Sequence, residues 1–507
     1  MNKRKVIIVG AGPGGLSAAM LLASKGYEVD VFEKMHYLGG RTSGLQLGEY
    51  RFDRGPTFLN MPHILEELFR ESGRSVHDYV KLVPIEPFYR LVFEGAPFYV
   101  YKEPVQMIRE ITRMFPGNEE GYERFLQQES RKLEALLPIL QNKHDSLLDY
   151  LHPRFLKALP KLTLTQSLYK CLSEYFDDER LRLAFTFQSK YLGMSPWECP
   201  GAFSILSYIE HAYGIYHPIG GLHRITEAMG NVVREHGGRI HLGKGVKRLI
   251  TADRGVIGIE MEEGEDRYAD EVIVNADFAN AMSTLVDPAA SGKYTEARLR
   301  KKNYSCSTFM LYLGVKRTYD LPHHTILFAK DYKQNVEEIA KTKVLSADPS
   351  VYVQNGSVTD PTLAPQGKSA IYVLAPVPNN QSGIRWELEK EDFRKRVLEK
   401  VMTEGGFADL EEHIEVEHMI TPLDWERKHH VFEGATFNLA HHLTQMMYLR
   451  PHNRYEELDG CWLVGGGTHP GSGLPTIMES ARITVRGILK KHGASQGELQ
   501  SVGGGSL

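Results

Sequence analysis

Cysteine is scarce: the 507 residues contain four, Cys171, Cys199, Cys306 and Cys461, with no CxxC pair among them. That spacing excludes a disulfide framework and a zinc knuckle and suits a reducing cytoplasm. A surplus of one charge sign is also missing, since 60 basic side chains stand against 64 acidic ones for a net of −4. A nucleic-acid binder that tracks phosphates is thereby excluded, and any anion or membrane contact must be local. No apolar run reaches the roughly 18 residues of a membrane span, so the expectation is a chain that is soluble or rests on a membrane surface. Lys3-Arg4-Lys5 before Val6-Ile7-Ile8-Val9 mimics a signal peptide, but Gly10 and Gly12 break it too early. There is no internal repeat and no recognisable catalytic triad.

What is present starts with a βαβ unit. Residues 5–9 form a short continuous apolar run of the kind buried on both faces of a parallel sheet. Leu16, Ala19, Met20, Leu22 and Ala23 supply the packing stripe of a following helix, Gly26 ends it, and Glu28 to Phe32 read as the second strand. The same character returns at Arg239 to Leu249, Gly258 to Met261, Glu271 to Asn275 and Cys461 to Val464. This predicts an α/β fold with a discontinuous Rossmann-type nucleotide domain over residues 1–60, 215–290 and 455–495. A mixed α+β substrate domain over residues 61–214 and 291–454 completes it, with helices at Glu119 to Leu137 and Glu387 to Met402 and strands at Phe309 to Val315 and Ala370 to Leu374. At this length two lobes are expected, because single cores stop growing near ~250–300 residues. The Gly/Ser-rich tail, 496–507, reads as mobile.

Gly10-Ala11-Gly12-Pro13-Gly14-Gly15 matches G-x-G-x-x-G directly after a strand and opening a helix. Glycines there permit a tight turn, close approach of backbone to a pyrophosphate, and close helix-to-strand packing. Glu33, at the end of the second strand, can accept both ribose hydroxyls of an adenine dinucleotide and disfavours the 2′-phosphate of NADP, so FAD and NAD remain. Lys34 to Arg41 holds a second glycine pair, Gly39-Gly40-Arg41. In flavin oxidoreductases that share a fold with the amine oxidases, such a pair and a basic residue follow the ribose acid, and the resemblance selects FAD. Asp53-Arg54-Gly55-Pro56-Thr57 looks like the D-x-G-P segment of that group, which leads the chain under the flavin.

Toward the C-terminus, Leu463-Val464-Gly465-Gly466-Gly467-Thr468-His469-Pro470-Gly471-Ser472-Gly473-Leu474-Pro475 runs from a buried strand through a glycine loop into a helix over Thr476 to His492. Such a helix start can stabilise negative charge on a reduced flavin. The segment resembles the T-H-P-G-x-G-x-P signature of the bacterial carotenoid desaturases of the phytoene and diapophytoene type. Tyr304-Ser305-Cys306-Ser307, Pro218-Ile219-Gly220-Gly221 and Val272-Ile273-Val274-Asn275-Ala276-Asp277 resemble them too, so the likeness spans roughly residues 4–492. It implies non-covalent FAD held by the glycine turn with Pro13 and Gly14, by Glu33 and Lys34, by Gly39, Gly40 and Arg41, by Gly55, Pro56 and Thr57, and by Gly466, Gly467, Gly473, Leu474 and Pro475. It also implies a main-chain contact to the adenine end at Val246, after Gly245. Many C40 enzymes of the group carry Pro-Gly-Val where this chain has Pro475-Thr476-Ile477, which favours a C30 substrate.

The resemblance further implies a hydrophobic polyene substrate in a long apolar tunnel, hydride passing to the flavin with a proton leaving separately, and quinone or oxygen as electron acceptor. It singles out no proton acceptor. Rival readings are a carotenoid terminal-methyl oxidase, a polyene isomerase, a flavin amine oxidase and a non-enzymatic prenyl-lipid carrier. His323-His324, His429-His430 and His441-His442 read as surface or loop pairs, because adjacent residues diverge too much to share a metal. His469 lies within the glycine loop and either shapes it or touches the cofactor. Leu147 to Leu172 interleaves Leu151, Phe155, Leu156, Leu159, Leu162, Leu164 and Leu168 with Arg154, Lys157, Lys161 and Lys170, broken by Pro153 and Pro160. It suits either a docking surface on the inner face of the cell membrane or a packed lobe helix.

Overall fold

The structure, a computed structural model, describes residues 3–94 and 96–503, the side chains of Leu147, Arg154 and Tyr191 excepted. Five parallel strands form one sheet in the order Arg239–Leu242, Glu28–Glu33, Lys5–Val9, Glu271–Val274, Cys461–Leu463. Strand Lys5–Val9 is apolar throughout its centre because both faces of the sheet are covered. Val6 and Ile8 pack under helices Pro13–Ser24, His223–Glu235 and Leu474–Lys491, while Ile7 and Val9 face an antiparallel meander through Leu249, Val256 and Ile259. Alternation along the strand thus sends successive side chains into two different cores.

A seven-stranded sheet runs in the order Ile414–Ile420, Ser307–Val315, Ser369–Val377, Val351–Asn355, His324–Leu327, Tyr89–Val92, Pro97–Val100. One face, with Phe309, Leu311, Leu313, Val353 and Val373, is closed by Trp386, Phe393, Val397 and Val401 of helix Trp386–Thr403. The opposite face carries Tyr312, Tyr372, Tyr352 and His324. Beside it stands a helical region whose core is aromatic, with Phe185 in ring contact with Tyr122, Phe125 and Phe176, and Phe125 with Phe176.

Four expectations need correction. The run Arg239 to Leu249 is two strands, not one, because Gly243 turns the chain in the left-handed region (φ +65°) and Val246–Ala252 leaves for the meander. The tail is ordered over Gln496–Gln500, a helical turn capped by Ser495, and Val502 is fully buried; residues 504–507 lie outside the described residues. Helix Glu119–Leu140 continues through Pro138, three residues past the expected end. Of the histidine pairs, His323, His324 and His441 are buried rather than superficial, and each has a hydrogen-bond partner: Thr359 Oγ1, the Phe88 carbonyl and the Leu192 carbonyl. The segment from residue 147 to 172 is broken into Leu147–Leu151, Pro153–Ala158, Leu159–Lys161 and Leu168–Leu172, as its prolines predict.

Candidate functional site

The turn Gly10–Gly15 joins strand Lys5–Val9 to helix Pro13–Ser24 at the edge where strand order reverses. Gly10 is left-handed (φ +97°), and a Cβ on it would lie 2.3 Å from the Asn275 carbonyl oxygen. A Cβ on Gly15 would lie 2.3 Å from the Gly10 carbonyl oxygen, so only glycine lets the helix sit this close. Asn275 Nδ2 donates to that same carbonyl at 3.0 Å and holds the turn. Gly10, Gly12 and Pro13 are the half-exposed members, and no side chain caps the helix start, which leaves its N–H groups free for an anion.

Glu33 ends strand Glu28–Glu33 with its carboxylate buried, accepting the Ala11 N–H at 2.7 Å and the Met35 N–H at 2.9 Å. Burial pushes its pKa up against the pull of these N–H groups. A ribose diol, which donates twice and carries no charge, fits this acceptor; a phosphate does not. The Lys244 N–H donates to the Glu33 backbone carbonyl at 2.8 Å, and Val246 begins its strand two residues past Lys244. Lys34 is turned to the surface and pairs with Glu262 at 2.8 Å, away from the glycine turn.

The second glycine pair meets the first. Gly39 N–H donates to the Ala11 carbonyl at 2.9 Å, and a Cβ on Gly40 would lie 3.9 Å from Gly12 Cα. Arg41 donates to the Thr436 carbonyl at 2.7 Å and stands 3.9 Å from Asp277. Asn438, its amide oriented to satisfy both neighbours, donates to Asp277 at 2.9 Å and accepts from Arg41 at 2.8 Å. Burial raises the Asp277 carboxyl although Arg41 opposes it. A Cβ on Gly55 would strike the Arg41 carbonyl oxygen at 2.5 Å, so the Asp53–Thr57 segment passes against the basic residue; Pro56 is its exposed member.

Three tyrosines from the seven-stranded sheet fix that segment: Tyr312 donates to the Arg54 carbonyl at 2.5 Å, Tyr372 to the Gly55 carbonyl at 2.9 Å, and Tyr352 shares a hydrogen bond with Thr57 at 2.6 Å. Asp53 itself accepts the Leu222 N–H at 2.6 Å at the start of helix His223–Glu235. Beyond Thr57 the wall turns aromatic, with Phe58 between Tyr89 and His324 at 6.2 and 5.4 Å. The tyrosine row escapes a reading by motif, since its members come from three strands and meet only through register: Tyr312 lies opposite Tyr372, and Gln354 beside it.

The C-terminal loop closes the site. A Cβ on Gly14 would touch Val464 and Ile477 at 3.2 and 3.1 Å, so the loop and its helix lie directly on the first turn. Gly473 (φ +118°) precedes helix Leu474–Lys491, with Pro475 in its first turn. Arg450, fully buried, donates to the carbonyls of Gly466 at 2.7 Å and Thr468 at 3.0 Å; burial lowers its pKa to about 10. A Cβ on Gly467 would lie 2.4 Å from Phe278 Cβ. His469 Nε2 bonds the Asn142 carbonyl at 2.8 Å and burial holds its pKa down to about 3, so it is a neutral clasp between the loop and the end of helix Glu119–Leu140. Arg450 left no local signal in the sequence.

The glycine turn thus lies against Gly39 and Gly40 and against Val464 and Ile477 of the C-terminal segment, and Gly55 lies against Arg41, whereas Lys34 is turned away to Glu262. Residues 13–489 match the family described as flavin containing amine oxidoreductase. The 4,4′-diapophytoene desaturase (4,4′-diapolycopene-forming) of Methylomonas sp is 50% identical over 97% of this chain and 96% of its own. The zeta-carotene-forming phytoene desaturase of Myxococcus xanthus is 39% identical over 96% and 94%. Among solved structures, a putrescine oxidase covers 96% of this chain and 99% of its own with a TM-score of 0.62 at 15% identity, a likeness of fold alone. The mixed α/β architecture and the whole-length matches agree, and the chain belongs to the flavin containing amine oxidoreductase family, among its carotenoid desaturases.

Proposed function

We propose that this chain is an FAD-dependent desaturase of carotenoid biosynthesis that introduces C=C bonds into a C30 precursor of the 4,4′-diapophytoene type. The observation that carries the reading is 50% identity along 97% of the chain to a desaturase of that name. Pro475-Thr476-Ile477, in place of Pro-Gly-Val, supports the shorter substrate.

FAD is the cofactor, and when bound it supplies the hydride acceptor. The glycine turn and the free helix start behind it suit the diphosphate, Glu33 the ribose diol, and the backbone at Val246 the adenine end. Gly39, Gly40, Gly55, Thr57, Gly466 and Gly467 would line the flavin half. A hydrocarbon offers no charged handle, so orientation falls to shape and to ring faces, and the aromatic wall of Phe58, Tyr89, Tyr352 and His324 excludes water where the chain would lie. Turnover needs a two-electron acceptor, quinone or oxygen.

The reading includes work on the inner face of the cell membrane. No helix among the described residues is long and apolar enough to cross a membrane. Leu148, Leu151, Leu156 and Leu159 are exposed at 73, 66, 52 and 43%, beside exposed Lys157 and Lys161, whereas Leu162 and Leu168 face inward. Leu449, 55% exposed, adjoins them through the Tyr448 N–H bond to Tyr150 at 2.6 Å. The Arg154 side chain lies outside the described residues.

Expression in cells that accumulate colourless C30 or C40 precursors tests the function. Coloured C30 polyenes, each lighter by two hydrogens per step, are the expected products. Added oxygen, or an unchanged mass, would sink the reading in favour of a terminal oxidase or an isomerase.

A further inference from the structure

Removing hydrogen from two neighbouring carbons releases a hydride and a proton, and the proton needs a base inside an apolar site. Glu210, on helix Ile205–Tyr213, is 2% exposed. The Tyr89 hydroxyl donates to its Oε1 at 3.0 Å and the Gln188 amide to its Oε2 at 2.8 Å, with Asn60 a third polar neighbour. All three partners are neutral. Gln188 Oε1 and Asn60 Oδ1 are buried acceptors with no partner among the described residues. The nest therefore offers donors to the ionised carboxylate and idle acceptors to the protonated acid, which is what a group that gains and loses a proton requires.

Its position is also suitable. Tyr89, which holds the carboxylate, packs edge-on to Phe58 and Phe187 at 6.2 and 5.2 Å and against His324 at 5.6 Å. Asn60 lies three residues past Thr57, on the stretch that Tyr352 fixes beneath the proposed flavin position.

We propose that the Glu210 carboxylate is the base that takes the substrate proton, an assignment that rests on the desaturase reading above. The hydrogen of one C–H bond would leave with the bonding electron pair as hydride, which bound FAD would accept. The neighbouring C–H bond gives its proton to a Glu210 oxygen, and its electron pair becomes the second bond of the new C=C. Two electrons and two hydrogens leave the substrate, and the carboxyl returns its proton to water between turnovers.

The surrounding titratable groups leave this role to Glu210. Burial holds His324 at about 3 and His211 at about 4, so both are neutral, and it raises Tyr352 and Tyr122 so that both keep their protons. Burial raises Glu210 itself to about 7, where a base is effective at physiological pH.

The test uses the FAD-loaded enzyme with 4,4′-diapophytoene in liposomes and follows flavin bleaching from about pH 5 to about pH 9. The wild-type rate should rise through pH ~7 and level off, and Tyr89→Phe, which removes a donor to the ionised form, should move that midpoint upward. Glu210→Gln should keep its flavin and lose about 100-fold or more in rate, with no pH step. Independently of turnover, infrared spectra of resting enzyme should show a protonated-carboxyl band that titrates near neutrality and is missing in Glu210→Gln. Should Glu210→Gln not fold, a flat wild-type profile or the lack of that band overturns the proposal by itself. Equal bleaching by wild type and Glu210→Gln overturns this proposal alone. A wild-type enzyme that neither C30 nor C40 precursors bleach overturns the desaturase reading and this one with it.

Discussion

Gly12 and Glu210 are single residues on which the proposed chemistry makes opposite demands, one for no side chain and one for a particular side chain. A Cβ on Gly12 would lie 3.0 Å from Asn275 Nδ2, and a glycine at this place in the turn is what lets a pyrophosphate approach the backbone closely. Gly12→Val adds two further carbons at that point, so the purified variant should be folded apoprotein, read as loss of the flavin absorbance at unchanged circular dichroism. Full flavin content would remove the glycine turn from the cofactor site. At Glu210 the consequence is for stability as well as catalysis. Its carboxyl has a folded pKa of about 7 against an ordinary 4.5, so the native state holds its proton more tightly than the unfolded chain. The resulting stabilisation is complete below pH ~4.5 and is lost as pH rises through about 7, a change of order 3 kcal/mol. Glutamine imitates the protonated form at every pH. Glu210→Gln should therefore melt higher than wild type near pH 8 and show no such gain near pH 5; a constant difference across that range would mean the acid is not held protonated by burial.

Secondary-structure elements show what local sequence can and cannot announce. The glycine turn, Glu33, Gly39-Gly40 and the loop after Cys461–Leu463 were legible because each is a short-range pattern whose chemistry is carried by consecutive residues. Tyr312, Tyr352 and Tyr372 were not, since what gives them meaning is antiparallel register between strands far apart in sequence, with Tyr352 and Tyr372 twenty residues apart and Tyr312 and Tyr372 sixty. Arg450 and Glu210 were hidden for a related reason: a polar residue among apolar ones reads as surface until burial is known. The split of Arg239 to Leu249 failed on a single glycine, Gly243, whose turn hands the chain from one sheet to another. That handover gives Val246 its importance. It pairs with Met261 at the start of the meander, two residues past Lys244 on the Glu33 carbonyl. If the adenine contact is main-chain, Val246→Ile should leave flavin affinity unchanged. Val246→Pro, which removes the N–H and disturbs the pairing, should weaken it by roughly tenfold, about 1.4 kcal/mol. Equal affinities in the two variants would move the adenine contact elsewhere.

The molecule as a whole must bring a water-insoluble polyene to a buried cleft, and this sets how it meets lipid. Such a hydrocarbon partitions into the bilayer core and is essentially absent from water, and the proposed membrane docking supplies an entrance that opens onto lipid. A net charge of −4 opposes binding to anionic lipid unless cations are gathered locally. Around residues 148–161 they are: Lys157 and Lys161 are exposed among Leu148, Leu151, Leu156 and Leu159, with Leu449 alongside. The inward residues of the same pieces, Ala158 and Leu162, pack on Ile139, which anchors the patch to the fold without burying its outer leucines. Each lysine near an anionic surface contributes about 1 kcal/mol, and each leucine that leaves water about 1.5–3 kcal/mol when fully inserted. Lys157→Glu with Lys161→Glu should therefore weaken binding to anionic liposomes by two to three orders of magnitude, roughly 3–4 kcal/mol for two charges reversed. Leu148→Ser with Leu151→Ser should weaken binding to neutral and anionic liposomes alike, because its effect is apolar. Both double variants should retain full flavin, since neither touches the cleft, and both should turn over membrane-embedded substrate slowly while detergent-dispersed substrate restores the rate. If liposome binding survives both pairs of changes, these short helices are lobe packing and the entrance faces another side of the molecule.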